Sequence, residues 1–101
     1  MLFVSGQIPF NQEEERLVNT GIKDETRQVM ENLKAILDEA GFTFEQVVKA
    51  TIFIANMDDF QSINEIYATY FNADTAPARE CVQVARLPRN VNIEISVICH
   101  K

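Results

Sequence analysis

The stretch Pro77-Ala78-Arg79-Glu80-Cys81-Val82-Gln83-Val84-Ala85-Arg86-Leu87-Pro88, followed by Ile93-Glu94-Ile95, reads as two strands that carry an arginine and a carboxylate. Ala78 to Leu87 and Val91 to His100 alternate in character and are joined across Pro88-Arg89-Asn90, which predicts neighbouring strands. Side chains alternate along a strand. Arg79, Cys81 and Gln83 therefore share one face and Glu80, Val82 and Val84 the other; Glu94 and Ser96 likewise oppose Ile93, Ile95 and Val97. An arginine at the start of an apolar strand is costly to bury without a partner, which makes Arg79 a candidate anion receptor. A structural ion pair or a solvated strand end accounts for the same residue equally well.

Upstream, the hydrophobic period switches between two and three-point-six. Met1 to Ile8 is a strand that stops at Pro9, whose missing N–H ends a ladder. Asn11 to Gly21 is an exposed connection with Glu13, Glu14 and Glu15 at a solvated tip. Ile22, Val29, Leu33, Ile36, Leu37 and Ala40 form the stripe of an amphipathic helix, with Asp24 and Glu25 in its first turn and Gly41 as its C-cap. Val47 to Ala55 is a second strand, apolar enough that both of its faces need cover. Asp58 or Asp59 caps a second helix whose inward stripe runs Phe60, Ile63, Tyr67, Tyr70 and Phe71, read as core. The order is strand, helix, strand, helix, strand, strand, an α+β arrangement with two helices on one face of a sheet. The opposite face, assigned Arg79, Cys81, Gln83, Glu94 and Ser96, has no third helix to cover it. Packing against another subunit is the expected remedy, with a polar site at the seam.

Composition narrows the function classes. The 101 residues suit a single domain, 1–101, and 47% hydrophobic content supports a core. A formal charge of −6 with nine scattered Lys and Arg argues against nucleic acid. No segment has the length to span a bilayer, and Met1-Leu2-Phe3-Val4 lacks the basic region of a signal peptide, so a cytoplasmic home and no membrane partner are expected. Cys81 and Cys99 are expected as free thiols. Cys81 has no adjacent histidine to activate it as a nucleophile, and His100 reads as a frayed surface residue.

Several ordered segments resemble the RidA/YjgF family of reactive-intermediate deaminases. They are Ser5-Gly6-Gln7-Ile8-Pro9, Lys23-Asp24-Glu25-Thr26-Arg27-Gln28-Val29, Asn32-Leu33-Lys34-Ala35, Val47-Val48-Lys49-Ala50-Thr51, Asn64-Glu65-Ile66-Tyr67, and Pro77 to Ile95 with its fifteen-residue step from Arg79 to Glu94. The resemblance implies a chorismate-mutase-like fold assembled as a homotrimer with an inner β-barrel and clefts between subunits. It further implies hydrolysis of 2-imino acids or their enamine tautomers, such as 2-iminopropanoate and 2-iminobutanoate, to 2-oxo acids and ammonia, without metal or organic cofactor. On this resemblance Arg79 grips the substrate carboxylate and Glu94 serves as acid and base for the attacking water. Ser5 and the backbone of Cys81 help hold the carboxylate, and Asn64 lines the pocket. The alternative is a non-catalytic trimer that binds small carboxylates or protein clients. A ribonuclease reading, also attached to relatives, fits the acidic balance poorly.

Two departures from the family pattern stand out. Relatives begin earlier, with a strand preceded by a Gly-Pro-Tyr segment whose tyrosine lies over the site; either this sequence starts late or the protein is a shortened member lacking one pocket wall and one sheet edge, in which case aggregation or looser trimer packing is expected. Glu80 replaces the small residue that generally follows the signature arginine; its side chain is expected to point away from Arg79, the alternative being that at a strand end it swings back and lowers the pocket's affinity for anions.

Overall fold

The computed structural model describes residues 1–101. Its elements are β1 (Leu2–Gln7), β2 (Phe10–Asn11), β3 (Arg16–Leu17), α1 (Ile22–Ala40), β4 (Val47–Ile54), α2 (Phe60–Tyr67), β5 (Ala78–Gln83) and β6 (Ile93–Cys99). Helix α1 has the expected bounds because its stripe is satisfied from Glu25 to Leu37 and its end is terminated by Gly41. Gly41 is left-handed at φ 78°, and the Phe42 N–H reaches back to the Leu37 carbonyl at 2.8 Å. Ala40, read as part of the stripe, is exposed.

The acidic connection is more ordered than expected. β2 and β3 form a short antiparallel hairpin, Phe10 opposite Leu17, and Asn11 Oδ1 accepts the Glu14 N–H at 3.0 Å inside its turn. Asn32 of α1 donates to the Ile8 and Phe10 carbonyls, so the chain is tied to the helix on either side of buried Pro9. Glu13, Glu14 and Glu15 are exposed, as expected of a solvated tip.

The second helix starts from a different cap. Asn56 Oδ1, not Asp58 or Asp59, accepts the Asp58 N–H at 2.9 Å and opens a 3-10 turn over Met57–Asp59 that leads into α2. Ile63, Ile66 and Tyr67 are its buried residues; Phe60 stays at the surface.

Strand order corrects the sequence reading most. The sheet runs β1-β6-β4-β5, with β4 antiparallel to β6 and parallel to β5. β5 and β6 are therefore not neighbours and form no hairpin. α2 carries the chain over from β4 to a parallel β5 on one side, and the connection through Leu87 to Asn92 then crosses the end of β4, where the Ala55 N–H donates to the Asn92 carbonyl at 3.0 Å. β5 stops at Gln83, not Leu87, because its one partner, β4, ends at Ile54. Arg89 and Asn90 take left-handed conformations in the turn that follows. Cys81 and Cys99 are free and lie on strands separated by β4, about 10 Å apart across the sheet and beyond disulfide reach.

The core lies between the sheet and the two helices. Ala50, Ile52 and Ile54 of β4, Ile93, Ile95, Val97 and Cys99 of β6, and Val4 of β1 meet Val29, Met30, Leu33 and Leu37 of α1 and Ile63 and Tyr67 of α2. The other sheet face has no helix over it. It exposes Phe3 and Val82, and half-buries Thr51, Phe53, Ser96 and Ile98. No helix is long and apolar enough to cross a membrane.

Candidate functional site

Pairing register places the polar residues on their faces. Cys81 lies opposite Ile52 and Arg79 opposite Ala50, and both β4 residues point into the core. The set Arg79, Cys81, Gln83 therefore belongs to the helix side, which reverses the assignment made from polarity alone. Three contacts agree: Arg79 Nη1 donates to Asn64 Oδ1 of α2, Cys81 packs against the core, and Gln83 Oε1 accepts the Met57 N–H at 2.7 Å. Glu94 lies between buried Ile93 and Ile95 and so points to the open face with Ser96. In one chain, Arg79 and Glu94 are on opposite sides of the sheet.

Around Arg79 the partners are neutral. Its Cζ lies 5.5 Å from the ring centre of Phe60 and 5.1 Å from that of Tyr67. A cavity of about 470 Å³ opens beside it, lined by Asn64, Tyr67, Phe71, Pro77 and Arg79 among others. The cavity has an apolar wall and one cationic corner, the form of a receptor for a small acid with an apolar body. Glu80 points away from Arg79, as expected, and pairs with Lys49 at 3.2 Å on the open face. Burial pushes the Cys81 thiol up from its ordinary pKa, with Arg79 pulling the other way, so a thiolate nucleophile is disfavoured.

Glu94 faces Phe53 of β4 across the pair and lies against Gly6 of β1. A register shift between Val4 and Gln7 lifts the Ser5-Gly6 segment out of the regular ladder with β6. A Cβ built on Gly6 would come within 2.5 Å of Cδ and Oε2 of Glu94, so the carboxylate occupies the space left by the missing side chain. Ser5 is exposed on the same strand. The residues singled out in sequence thus fall into two groups on opposite sides of the sheet, Arg79 with Asn64 and Cys81 on the helix side and Glu94 on the open face, with Ser5 exposed beside Gly6 on β1. Gly6, Phe60 and Tyr67 were not singled out. Gly6 stood inside the Ser5-Gly6-Gln7 segment, and Phe60 and Tyr67 belonged to the stripe read as core, whose spacing also places the pocket-lining candidate Asn64 beside them. No three His, Cys, Asp or Glu side chains converge as a metal site would require. His100 is exposed, but its N–H donates to the Gln46 carbonyl at 2.9 Å, so its backbone is not frayed.

Both tyrosines resist ionisation. Burial pushes Tyr67 up to about 12 against the pull of Arg79. Tyr70 also rises to about 12, through burial and through Glu31, whose Oε2 accepts its hydroxyl at 2.7 Å. The folded state favours the protonated phenols, so their contribution to stability is complete below the ordinary value of 10.0 and is lost as pH rises towards about 12. The chain has two tyrosines and no tryptophan, so tyrosinate absorbance reads this pair alone. We expect a titration midpoint near 12 in the folded protein, and a urea midpoint that falls between pH 10 and 12. A folded-state midpoint at the ordinary value would contradict this placement of the rings.

The family model described as Endoribonuclease L-PSP matches residues 1–101. A RutC family protein of Pyrococcus horikoshii is 48% identical over 99% of this chain and 79% of its own length. The 2-iminobutanoate/2-iminopropanoate deaminase of Mus musculus is 43% identical over 96% of this chain and 71% of its own. The crystal structure of YyfA of Yersinia pestis, a member of the Rid protein family, superposes with a TM-score of 0.94 at 43% identity, over 98% of this chain and 79% of that one. The chain belongs to the Endoribonuclease L-PSP family, the RidA/YjgF proteins.

Proposed function

We propose that this protein hydrolyses 2-imino acids such as 2-iminopropanoate and 2-iminobutanoate to the 2-oxo acid and ammonia, at sites formed between copies of a homotrimer. The observation that carries the reading is an arginine with only neutral partners at the mouth of a part-apolar cavity, which leaves its charge for a ligand carboxylate. Water adds to the imine carbon as Glu94 takes its proton and passes it to the nitrogen, giving the carbinolamine; Glu94 then moves the carbinol O–H proton to the nitrogen, the C–N bond breaks, ammonia leaves and the C2 carbonyl forms. Ser5 and the Cys81 backbone help to hold the carboxylate, and Asn64 fixes Arg79. The chemistry needs no metal or organic cofactor. The deaminase name of the mouse relative supports this substrate class. The endoribonuclease description of the family gains no support from the charge of −6.

Assembly follows from the two faces. A substrate held by Arg79 is out of reach of Glu94 in the same chain, and the uncovered face with Phe3 and Val82 supplies the apolar surface on which a second copy would bring its own Glu94 close. The test is semicarbazide trapping of 2-iminopropanoate released by a dehydratase. Wild-type protein should lower the trapped imine; no effect from a well-folded oligomer would overturn deamination in favour of a binding role. Co-expressed Arg79→Ala and Glu94→Gln chains, each inactive alone, should regain about a quarter of wild-type activity if each site takes one residue from each of two copies. Absence of any recovery from mixed oligomers would place both residues in one chain's site.

A further inference from the structure

Arg79 is oriented by one stripe of α2 and by no charge. Phe60, Asn64 and Tyr67 have the i, i+4, i+7 spacing that aligns three side chains on one helix face. All three contact the guanidinium, by two ring faces and one amide oxygen. Arg79 belongs to none of the chain's five ion pairs. Phe60 is 36% exposed, so burial in the core does not explain an aromatic ring there.

The chemistry of the contacts suggests their purpose. A ring attracts a cation through its quadrupole and leaves the guanidinium's edge N–H donors free, whereas a carboxylate partner would occupy that fork. Asn64 takes an Nη1 donor, which leaves the Nε and Nη2 edge for a second, planar acceptor. We infer that Phe60 and Tyr67 act as positioning residues, an aromatic clamp that presents the free edge of Arg79 to the ligand carboxylate. The clamp rests on the proposed function for the identity of that ligand, a 2-imino or 2-oxo acid.

Phe60 is the residue to change, since Tyr67 is part of the core. The measurements are calorimetric binding of pyruvate, steady-state deamination, and the NMR shift of the Arg79 Nε–H, which a nearby ring displaces without any ligand. Phe60→Leu should raise the pyruvate Kd and the KM by about fivefold with kcat almost unchanged, because the carboxylate grip serves ground and transition states alike. Phe60→Trp should restore both to within about twofold, since it returns a ring face. A general loss of structure would instead lower kcat in both variants. Equal pyruvate affinity in Phe60→Leu and wild type, or an unmoved Arg79 signal, would overturn the clamp. Wild-type protein that binds pyruvate yet leaves the imine untouched would overturn deamination alone, and wild-type protein that fails to bind pyruvate would remove the clamp's function.

Discussion

Arg79→Ala should lower kcat/KM for 2-iminopropanoate about a thousandfold while the fold survives. The arginine lies on an edge strand and is exposed, so its loss removes little packing. Removing it deprives the ligand carboxylate of its one charge-assisted donor fork in a cavity whose other lining is largely apolar. Arg79→Lys should recover less than about a tenth of the loss, because an ammonium offers a point charge where the carboxylate needs a planar pair and cannot be held edge-on by two rings. Initial rates with circular dichroism as the folding control decide this. A folded Arg79→Ala protein with more than about a tenth of wild-type kcat/KM would take Arg79 out of the site.

Gly6→Ala should separate catalysis from stability. The added methyl would stand 2.5 Å from Cδ and Oε2 of Glu94, a distance at which one of them must move. The flexible carboxylate is the group that yields, so the cost in stability should stay within about 0.5 kcal/mol. Gly6 has no positive φ, so alanine strains no backbone there. A displacement of about 1 Å in a group that must meet a water and an imine nitrogen should lower kcat about a hundredfold. Urea unfolding and steady-state kinetics on the one variant provide both numbers. Full activity in Gly6→Ala would show that the position of Glu94 over this glycine is not used in the reaction.

The sequence determined the elements and, through their ordered motifs, the family. Periodicity located α1 to the residue, because a stripe, an acidic first turn and a glycine that can take φ 78° all point to the same limits. It located β1, β4 and β6 within a residue or two for the same reason. The cap of the second helix was misread because Asn56 and the two aspartates after it are all competent cap residues, and geometry alone chooses among them. Alternation also identified correctly which residues of β5 travel together.

Which way each set faces was a matter for the tertiary structure. Alternation has two phases, and only pairing selects one of them. Polarity favoured the wrong phase for Arg79, Cys81 and Gln83, because β5 sits at the sheet edge, where an inward side chain reaches the rim of α2 and not the dry core. The nearness of β5 and β6 in sequence likewise suggested a hairpin, but β4 lies between them, since α2 carries β5 to one side of β4 and β6 returns on the other. Register, with Arg79 opposite buried Ala50 and Glu94 opposite Phe53, places the two on opposite faces, and a chain folded in this way cannot bring them together by itself.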